Sequence, residues 1–130
     1  MVEILKKIPF FAGLGEEDIK QIAAVVKMDY FPAEHVIFKQ SDPGDIMYVI
    51  KRGQVQVIRD NTILAVLGDG AFFGEMALVS EDQRNATLKT VTDVEVMTLK
   101  KEDFIRLLET NSTIASMVSY EVVKRANTVF

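Results

Sequence analysis

Three features that many proteins carry are missing from this sequence. It contains no cysteine, which excludes disulfides, thiolate nucleophiles and cysteine-ligated metals. It has no run of about 18 apolar residues, the length that inserts into a membrane, and its first residues, MVEILKKIPFF, lack the core and cleavage site of a signal peptide. We therefore expect a cytoplasmic protein.

The charge balance bears on nucleic-acid binding. Because 15 basic residues stand against 19 acidic ones, we expect no direct nucleic-acid binding by this chain, since such affinity comes from neutralising phosphates.

What is present is a helical segment, a long stretch of short strands and a second helical segment. A chain of 130 residues with 48% hydrophobic residues has the length of one domain with a real core. Its β-branched runs are divided by turn signals such as SDPGD and GDG. We predict a single α+β, mainly β domain over 1–130. It comprises a helical lead-in at 1–30 with one N-terminal helix, a β-jelly-roll barrel at 31–100 and two C-terminal helices at 101–130.

Several short patterns give sharper predictions. Alternation in Gln54-Val55-Gln56-Val57 directs Val55 and Val57 to one face, and Asp60-Asn61 suits the left-handed turn of a hairpin. The cap residues Asn111-Ser112-Thr113 begin a new helix. That helix has no Gly or Pro to end it before Phe130, which favours a module cut from a longer protein.

The single histidine leaves little room for enzyme chemistry. A cupin-like metal site in a small barrel needs several imidazoles, whereas His35 stands alone. A serine hydrolase needs a histidine base and a nucleophile elbow, and no such elbow occurs. We therefore predict a non-enzymatic binding module with no catalytic residues, no metal and no catalytic cofactor.

The candidate site lies in FFGEMALVSEDQRNAT, residues 72–87. A glycine directly before a helix-compatible turn lets the backbone approach a ligand closely, and first-turn amides favour an anion. Arg84, ten residues after Gly74, offers a guanidinium to phosphate oxygens. Glu75 would repel a phosphate, so it must face another group, such as a sugar hydroxyl. The alternative is a turn glycine and a solvated surface arginine.

The same residues resemble a known family. FGEMALV at 73–79 followed by RNAT at 84–87 is similar to the phosphate-binding cassette of cyclic-nucleotide-binding domains, of the catabolite activator protein and kinase regulatory subunit type. The segments IPFFAGL, PGDIMYVIKRGQVQV and LGDGAFFGE resemble the family's flanks. Such domains occur in bacterial transcription regulators, in regulatory subunits of kinases and in gated channels. The resemblance implies a jelly roll with a short helix in the cassette, residues 73–87.

It also implies a role for individual residues. Glu75 would accept the ribose 2′-hydroxyl, Arg84 would pair with the cyclic phosphate, and backbone amides nearby would bind phosphate oxygens. The implied ligand-binding set is Phe73, Gly74, Glu75, Met76, Ala77, Arg84, Asn85 and Ala86. Val57 and Leu64 would form part of the pocket wall, each with a plain core role as the alternative. Gly44, Gly53 and Gly68 would be turn positions without a direct part in binding.

Two positions depart from the family pattern. Gln83 replaces the usual proline before the arginine, which removes some rigidity from the loop. Asn85 follows the arginine, and because an amide both donates and accepts, the purine base is left open between cyclic AMP and cyclic GMP. Cyclic AMP is slightly favoured by the bacterial character of the sequence.

Two functions from different classes follow. In one, the chain senses a cyclic nucleotide and signals to an effector outside the chain through movement of its C-terminal helices, with Tyr120 a further candidate for stacking on the base. The implied lid residues are Val122, Ala126, Val129 and Phe130. In the other, a domain of the same fold that no longer responds serves as a docking or dimerisation scaffold, with the C-terminal helix as a homodimer seam.

Overall fold

The structure is a computed structural model that describes residues 2–7, 11–74 and 83–116. Its helices are α1 (Val2–Lys6), α2 (Glu16–Val25) and α3 (Lys101–Thr110). Its strands are β1 (Lys27–Phe31), β2 (Val36–Phe38), β3 (Ile46–Arg52), β4 (Val55–Arg59), β5 (Thr62–Leu67), β6 (Phe72–Phe73), β7 (Thr87–Thr90) and β8 (Val94–Lys100). Residues 112–116 are also helical. In the described ranges, no helix is long and apolar enough to cross a membrane.

The strands form two four-stranded antiparallel sheets. The first has the order β1-β8-β3-β6 and the second the order β2-β7-β4-β5. Strands that are neighbours in a sheet are mostly distant in sequence, so the chain crosses repeatedly between the two sheets. This mainly β jelly-roll architecture with few helices confirms the predicted fold class. The predicted cassette helix and most of the last helix fall outside the described residues.

Two hydrophobic cores lie on opposite faces of the first sheet, and β3 contributes to both. Because successive side chains of a strand point to opposite faces, Met47 and Val49 pack against the helices. Tyr48 and Ile50 instead face the space between the sheets. Val55 and Val57 of β4 are fully buried in that same space, which confirms the prediction from their alternation.

The helices cover the outer face of the first sheet. Acidic residues 16–18 occupy the first turn of α2, where negative charge complements the helix dipole. The residues that the helices bury are spaced as on one helix face, and they are Ile19 and Ile22 of α2 with Phe104 and Leu107 of α3. The first sheet is therefore sandwiched between a helical layer and the second sheet.

The sequence and the structure differ at two boundaries near the N-terminus. The lead-in contains two short helices rather than one, and strand β1 begins at Lys27, four residues before the position where strand texture was expected. Within the described ranges, β1 is an edge strand that pairs only with β8. Its residues are largely exposed, so the hydrophobic pattern that marks a buried strand is weak there.

The hairpin between β4 and β5 has the predicted turn. Asp60 and Asn61 have φ values of 51° and 64°, and Arg59 pairs with Thr62 directly before and after them. Two consecutive left-handed residues match the twist of the flanking strands. Pairing then shifts by one residue, since Val57 opposes Ala65 while Ile58 opposes Ile63, which leaves Leu64 in a β-bulge.

Asn111 joins α3, the following helix and α2. Its backbone N–H bonds to Leu107 O of α3, and its side-chain oxygen accepts the Ile114 N–H, which caps the next helix as predicted. Its amide nitrogen donates to Asp18 and Gln21 of α2. One side chain thus fixes the junction between two C-terminal helices against the N-terminal layer.

Replacing Asn111 with alanine should destabilise the domain by about 2 kcal/mol, because it removes a helix cap and a hydrogen bond to a charged group. Urea unfolding measures this as a lower midpoint at unchanged slope. Ser112→Ala, at the exposed neighbouring position, is the matched control. Equal midpoints for Asn111→Ala and the control would show that the junction does not depend on this side chain.

Candidate anion-binding site

Arg84 is the centre of the site, and it is buried although it carries a charge. Only 9% of its surface is exposed. Burying a charged group costs free energy unless hydrogen bonds compensate for the lost water. Its Nη2 donates to the carbonyl of Ile46 at 2.8 Å, and its Nη1 makes a longer contact of 3.4 Å with the carbonyl of Gly74. Its Cζ lies 4.1 Å from the centre of the Phe38 ring, within range of a cation–π interaction.

Two glycines make room for this guanidinium. A methyl group on Gly44 would overlap Nε and Cζ of Arg84 and lie 2.6 Å from its Nη2. A methyl group on Gly74 would lie 2.7 Å from Nη1 and 3.0 Å from the Ile46 carbonyl. Gly74 also has a φ of 79°, which side chains other than glycine's rarely adopt. The guanidinium therefore occupies a slot that exists only because both side chains are absent.

The backbone of Arg84 is fixed by the loop after β2. Ser41 N donates to Arg84 O at 2.7 Å, and Arg84 N donates to Asp42 O at 2.7 Å. Ser41 has a φ of 76°, a costly conformation for a residue with a side chain, and such residues concentrate at functional sites. The backbone N–H and the backbone carbonyl of Arg84 are therefore both hydrogen-bonded. These bonds fix the direction in which the Arg84 side chain leaves the main chain.

A cluster of aromatic rings packs next to Arg84. Tyr48 of β3 stacks on Phe73 of β6 with ring centres 5.1 Å apart, and Phe38 of β2 lies 6.0 Å from each of them. Phe31 continues the cluster from Tyr48 to His35. Close-packed rings from both sheets are rigid, so they hold the Phe38 ring against the guanidinium.

Burial raises the pKa of the Tyr48 hydroxyl above its usual value of 10.0; Arg84 acts to lower it, and Asp29 and Asp45 raise it further. An unfolded chain therefore loses this proton at a lower pH than the folded chain does. The stabilising contribution is complete below about pH 10 and is lost as pH rises through the folded pKa.

The free energy of unfolding should accordingly fall more steeply above about pH 10 in the wild-type chain than in Tyr48→Phe. Urea unfolding at about pH 8 and about pH 11 measures the difference. Tyr30→Phe, at an exposed ring, is the control for the loss of a tyrosine hydroxyl. A Tyr48→Phe slope equal to that of the wild type would contradict the assignment.

The described residues include part of the predicted site. Phe73, Gly74, Arg84 and Ala86 come together, with Phe73 and Ala86 in the core between the sheets, while Asn85 and Gln83 are exposed. Val57 lies fully buried in that core, and Leu64 is 38% exposed on the edge strand β5. Glu75, Met76 and Ala77, together with Tyr120, Val122, Ala126, Val129 and Phe130, lie outside the described residues.

Other parts of the site escaped the sequence analysis. Gly44 was predicted to be a turn position only, yet it faces the guanidinium. The sequence signal for it was the GD dipeptide in PGDIMYVIKRGQVQV, a segment that resembles the family pattern. Phe38 carried no signal in its own neighbourhood. His35 is exposed and stacks on Phe31 at 5.3 Å. Over the part of the chain that the structure describes, no cluster of three His, Cys, Asp or Glu residues is arranged to hold a metal.

Chemically, the site presents a fixed positive charge beside a glycine turn. The carbonyls of Ile46 on β3 and of Gly74 directly after β6 orient the guanidinium, and such preorganisation lowers the entropy cost of binding. Guanidinium groups bind phosphate and carboxylate oxygens through parallel hydrogen bonds. Arg84 is therefore the candidate residue for contact with an anion.

The chain is similar in sequence to several known proteins. The family model of the cyclic nucleotide-binding domain matches residues 28–111. The chain is 36% identical over 115 residues, 83% of its length, to the cGMP-dependent protein kinase egl-4 of Caenorhabditis briggsae, of which this covers 15%. It is 30% identical over 126 residues, 93% of its length, to the cyclic AMP receptor protein of Thermus thermophilus, of which this covers 58%. The chain thus spans less than two thirds of either relative.

The fold has equally clear counterparts among solved structures. The N-terminal domain of a transcriptional regulator from Streptomyces coelicolor superposes with a TM-score of 0.83 at 26% identity, covering 95% of this chain and 90% of that one. The Thermus thermophilus catabolite activator protein superposes with a TM-score of 0.82 at 30% identity, covering 91% of this chain and 58% of that one.

Proposed function

Because the chain belongs to the cyclic nucleotide-binding domain family, we propose that it senses a cyclic nucleotide monophosphate and signals through its C-terminal helices to an effector outside this chain. The observation that carries the proposal is the Arg84 guanidinium, seated between Gly44 and Gly74 and held by two backbone carbonyls. A single phosphate charge is the ligand group that best matches a single preorganised guanidinium.

In this proposal each cassette residue has a defined task. Arg84 pairs with the cyclic phosphate, and Glu75 accepts the ribose 2′-hydroxyl. Gly74, with its left-handed φ and no side chain, lets the backbone approach the ligand closely. Backbone amides complete the phosphate contacts, and they belong to Met76, Ala77, Asn85 and Ala86. Val57 and Leu64 contribute to the wall of the sugar and base pocket.

Cyclic AMP is the slightly favoured ligand, with cyclic GMP as the competitor. Asn85 is exposed beside Arg84, and its amide can donate to or accept from either purine. The two relatives described above also divide, since one is named a cGMP-dependent kinase and the other a cyclic AMP receptor. Base preference is therefore a matter for direct titration.

Signalling in this proposal is a change in the position of α3 and the helix that begins at residue 112. A ligand acts only by binding two conformations with different affinity, and Asn111 lies at the junction between these helices. The lid residues proposed for the later part of that helix are Val122, Ala126, Val129 and Phe130. The role is regulatory and non-catalytic, and the single-domain organisation and cytoplasmic location remain predictions.

Calorimetric titration of the wild-type chain with cyclic AMP and cyclic GMP in parallel tests the proposal. Saturable binding of at least one of them, with no binding of adenosine 5′-monophosphate at the same concentration, is expected, because the linear phosphate carries a second charge and a different shape. A bound ligand should also raise the melting temperature. If neither cyclic nucleotide binds at millimolar concentration, the sensing function is wrong, and the docking or dimerisation scaffold takes its place.

A further inference from the structure

Gln40, which follows β2 by two positions, holds the turn of the β4–β5 hairpin. Its side-chain Nε2 donates to Asp60 Oδ1 at 3.0 Å, and its Oε1 accepts the Asp60 backbone N–H at 3.0 Å. Asp60 is the first residue of the left-handed turn. The two hydrogen bonds are reciprocal, so one amide fixes both the side chain and the backbone of Asp60.

The same short stretch also holds the strand that leads from Arg84. The backbone N–H of Gln40 donates to Thr87 Oγ1 at 2.8 Å. The next two residues, Ser41 and Asp42, bond to the backbone of Arg84. The main chain of residues 40–42 therefore contacts Arg84 and Thr87, and the Gln40 side chain contacts the β4–β5 hairpin.

Strand β5 gains from such a contact because it lies at the edge of its sheet. Among the residues that the structure describes, β5 pairs only with β4, and three of its apolar side chains are exposed: Ile63 at 55%, Leu64 at 38% and Val66 at 53%. An edge strand with few buried side chains opens more readily than the sheet interior, whereas β4 is held on its other side by its pairing with β7. The Gln40–Asp60 pair restrains the tip of this hairpin relative to the loop that carries Arg84.

We propose that Gln40 is a positioning residue for the base side of the ligand site: its amide fixes the turn that leads into β5, the strand that carries Leu64, relative to the loop that holds the backbone of Arg84. This inference rests on the proposed function, since it assigns the base to the hairpin and the phosphate to Arg84. It concerns the side chain of Gln40 alone, because the main-chain bonds to Thr87 and Arg84 survive substitution.

The pairing allows a charge-swap experiment. In Gln40→Glu a carboxylate faces the Asp60 carboxylate, and the donated hydrogen bond is lost. In Asp60→Asn the new amide oxygen still accepts from Gln40, and asparagine tolerates the left-handed turn. In the double variant the Gln40→Glu carboxylate accepts from both the backbone N–H and the new side-chain amide, so both hydrogen bonds return.

Each variant is titrated with the cyclic nucleotide that the wild-type chain binds more tightly and with ribose 3′,5′-cyclic phosphate lacking a base. Gln40→Glu should weaken binding of the nucleotide about tenfold, Asp60→Asn should leave it unchanged, and the double variant should recover most of the loss. Affinity for the base-free ligand should stay constant across the series. If Gln40 merely stabilised the fold, its substitution would change the affinities for both ligands alike. Gln54→Ala, at an exposed glutamine, is the matched control.

The outcomes separate the inference from the proposed function. Wild-type affinity for the nucleotide in Gln40→Glu, or equal losses for both ligands, would overturn the inference alone. Absence of recovery in a folded double variant would do the same. Failure of the wild-type chain to bind either cyclic nucleotide would overturn the proposed function and the inference with it. If Gln40→Glu does not fold, Gln40→Ala, which adds no repulsion, replaces it with the same expected selectivity for the nucleotide.

Discussion

Arg84→Leu should lower the affinity for cyclic nucleotide about 100-fold, because truncating one partner of a desolvated charge pair costs several kcal/mol and leaves the other charge unmatched. The guanidinium is fixed by the Ile46 and Gly74 carbonyls, so the wild-type chain loses little side-chain entropy when this group binds the phosphate. Leucine has no donor to replace it.

The same substitution should leave the fold intact. Leucine removes the donors of the Ile46 and Gly74 carbonyls, which should cost about 1–3 kcal/mol of stability, while Phe38 offers the leucine an apolar neighbour. Calorimetric titration measures the affinity and urea unfolding the stability. Arg52→Leu, at an exposed arginine at the other end of β3, is the control. A folded Arg84→Leu that binds like the wild type would show that the phosphate lies elsewhere.

Gly44→Ala should impair both binding and stability, although it adds only one methyl group. That methyl overlaps the Arg84 guanidinium, so either the arginine leaves its carbonyl partners or the loop moves. We expect affinity to fall about tenfold or more and the free energy of unfolding to fall by about 1–3 kcal/mol, the usual cost of overpacking.

Two further variants make this prediction specific. Gly68→Ala is the matched control, because a methyl group there meets no atom within 4 Å, and it should change neither quantity. In an Arg84→Leu background, Gly44→Ala should cost clearly less stability, since the clashing guanidinium is gone. Additive losses in that double-mutant cycle would contradict the proposed clash.

Much of the fold follows from local sequence. The period of two in β4 placed Val55 and Val57 in the core, since that pattern needs only the geometry of one strand. The Asp60-Asn61 turn and the Asn111 cap are likewise set by the chemistry of a few adjacent residues. These predictions were confirmed because adjacent residues suffice to form the turn and the cap, and the distant hydrogen bonds of Asp60 and Asn111 add to structures that are already favoured locally.

The missed features depend on contacts between distant parts of the chain. Strand β1 is defined by its pairing with β8, more than 60 residues away, and its own residues lack a buried pattern. Gly44 and Phe38 meet Arg84 only after both sheets have closed. The pattern at 73–87 identified Arg84, while the slot that holds it could not be derived without the tertiary structure.

A crystal structure of the chain with bound cyclic AMP or cyclic GMP would test the central claim most directly, through the distance between the Arg84 guanidinium nitrogens and the cyclic phosphate oxygens. We predict at least one distance in the hydrogen-bond range of about 2.7–3.2 Å, with the guanidinium still between Gly44 and Gly74. A nucleotide bound with its phosphate away from Arg84 would contradict the account.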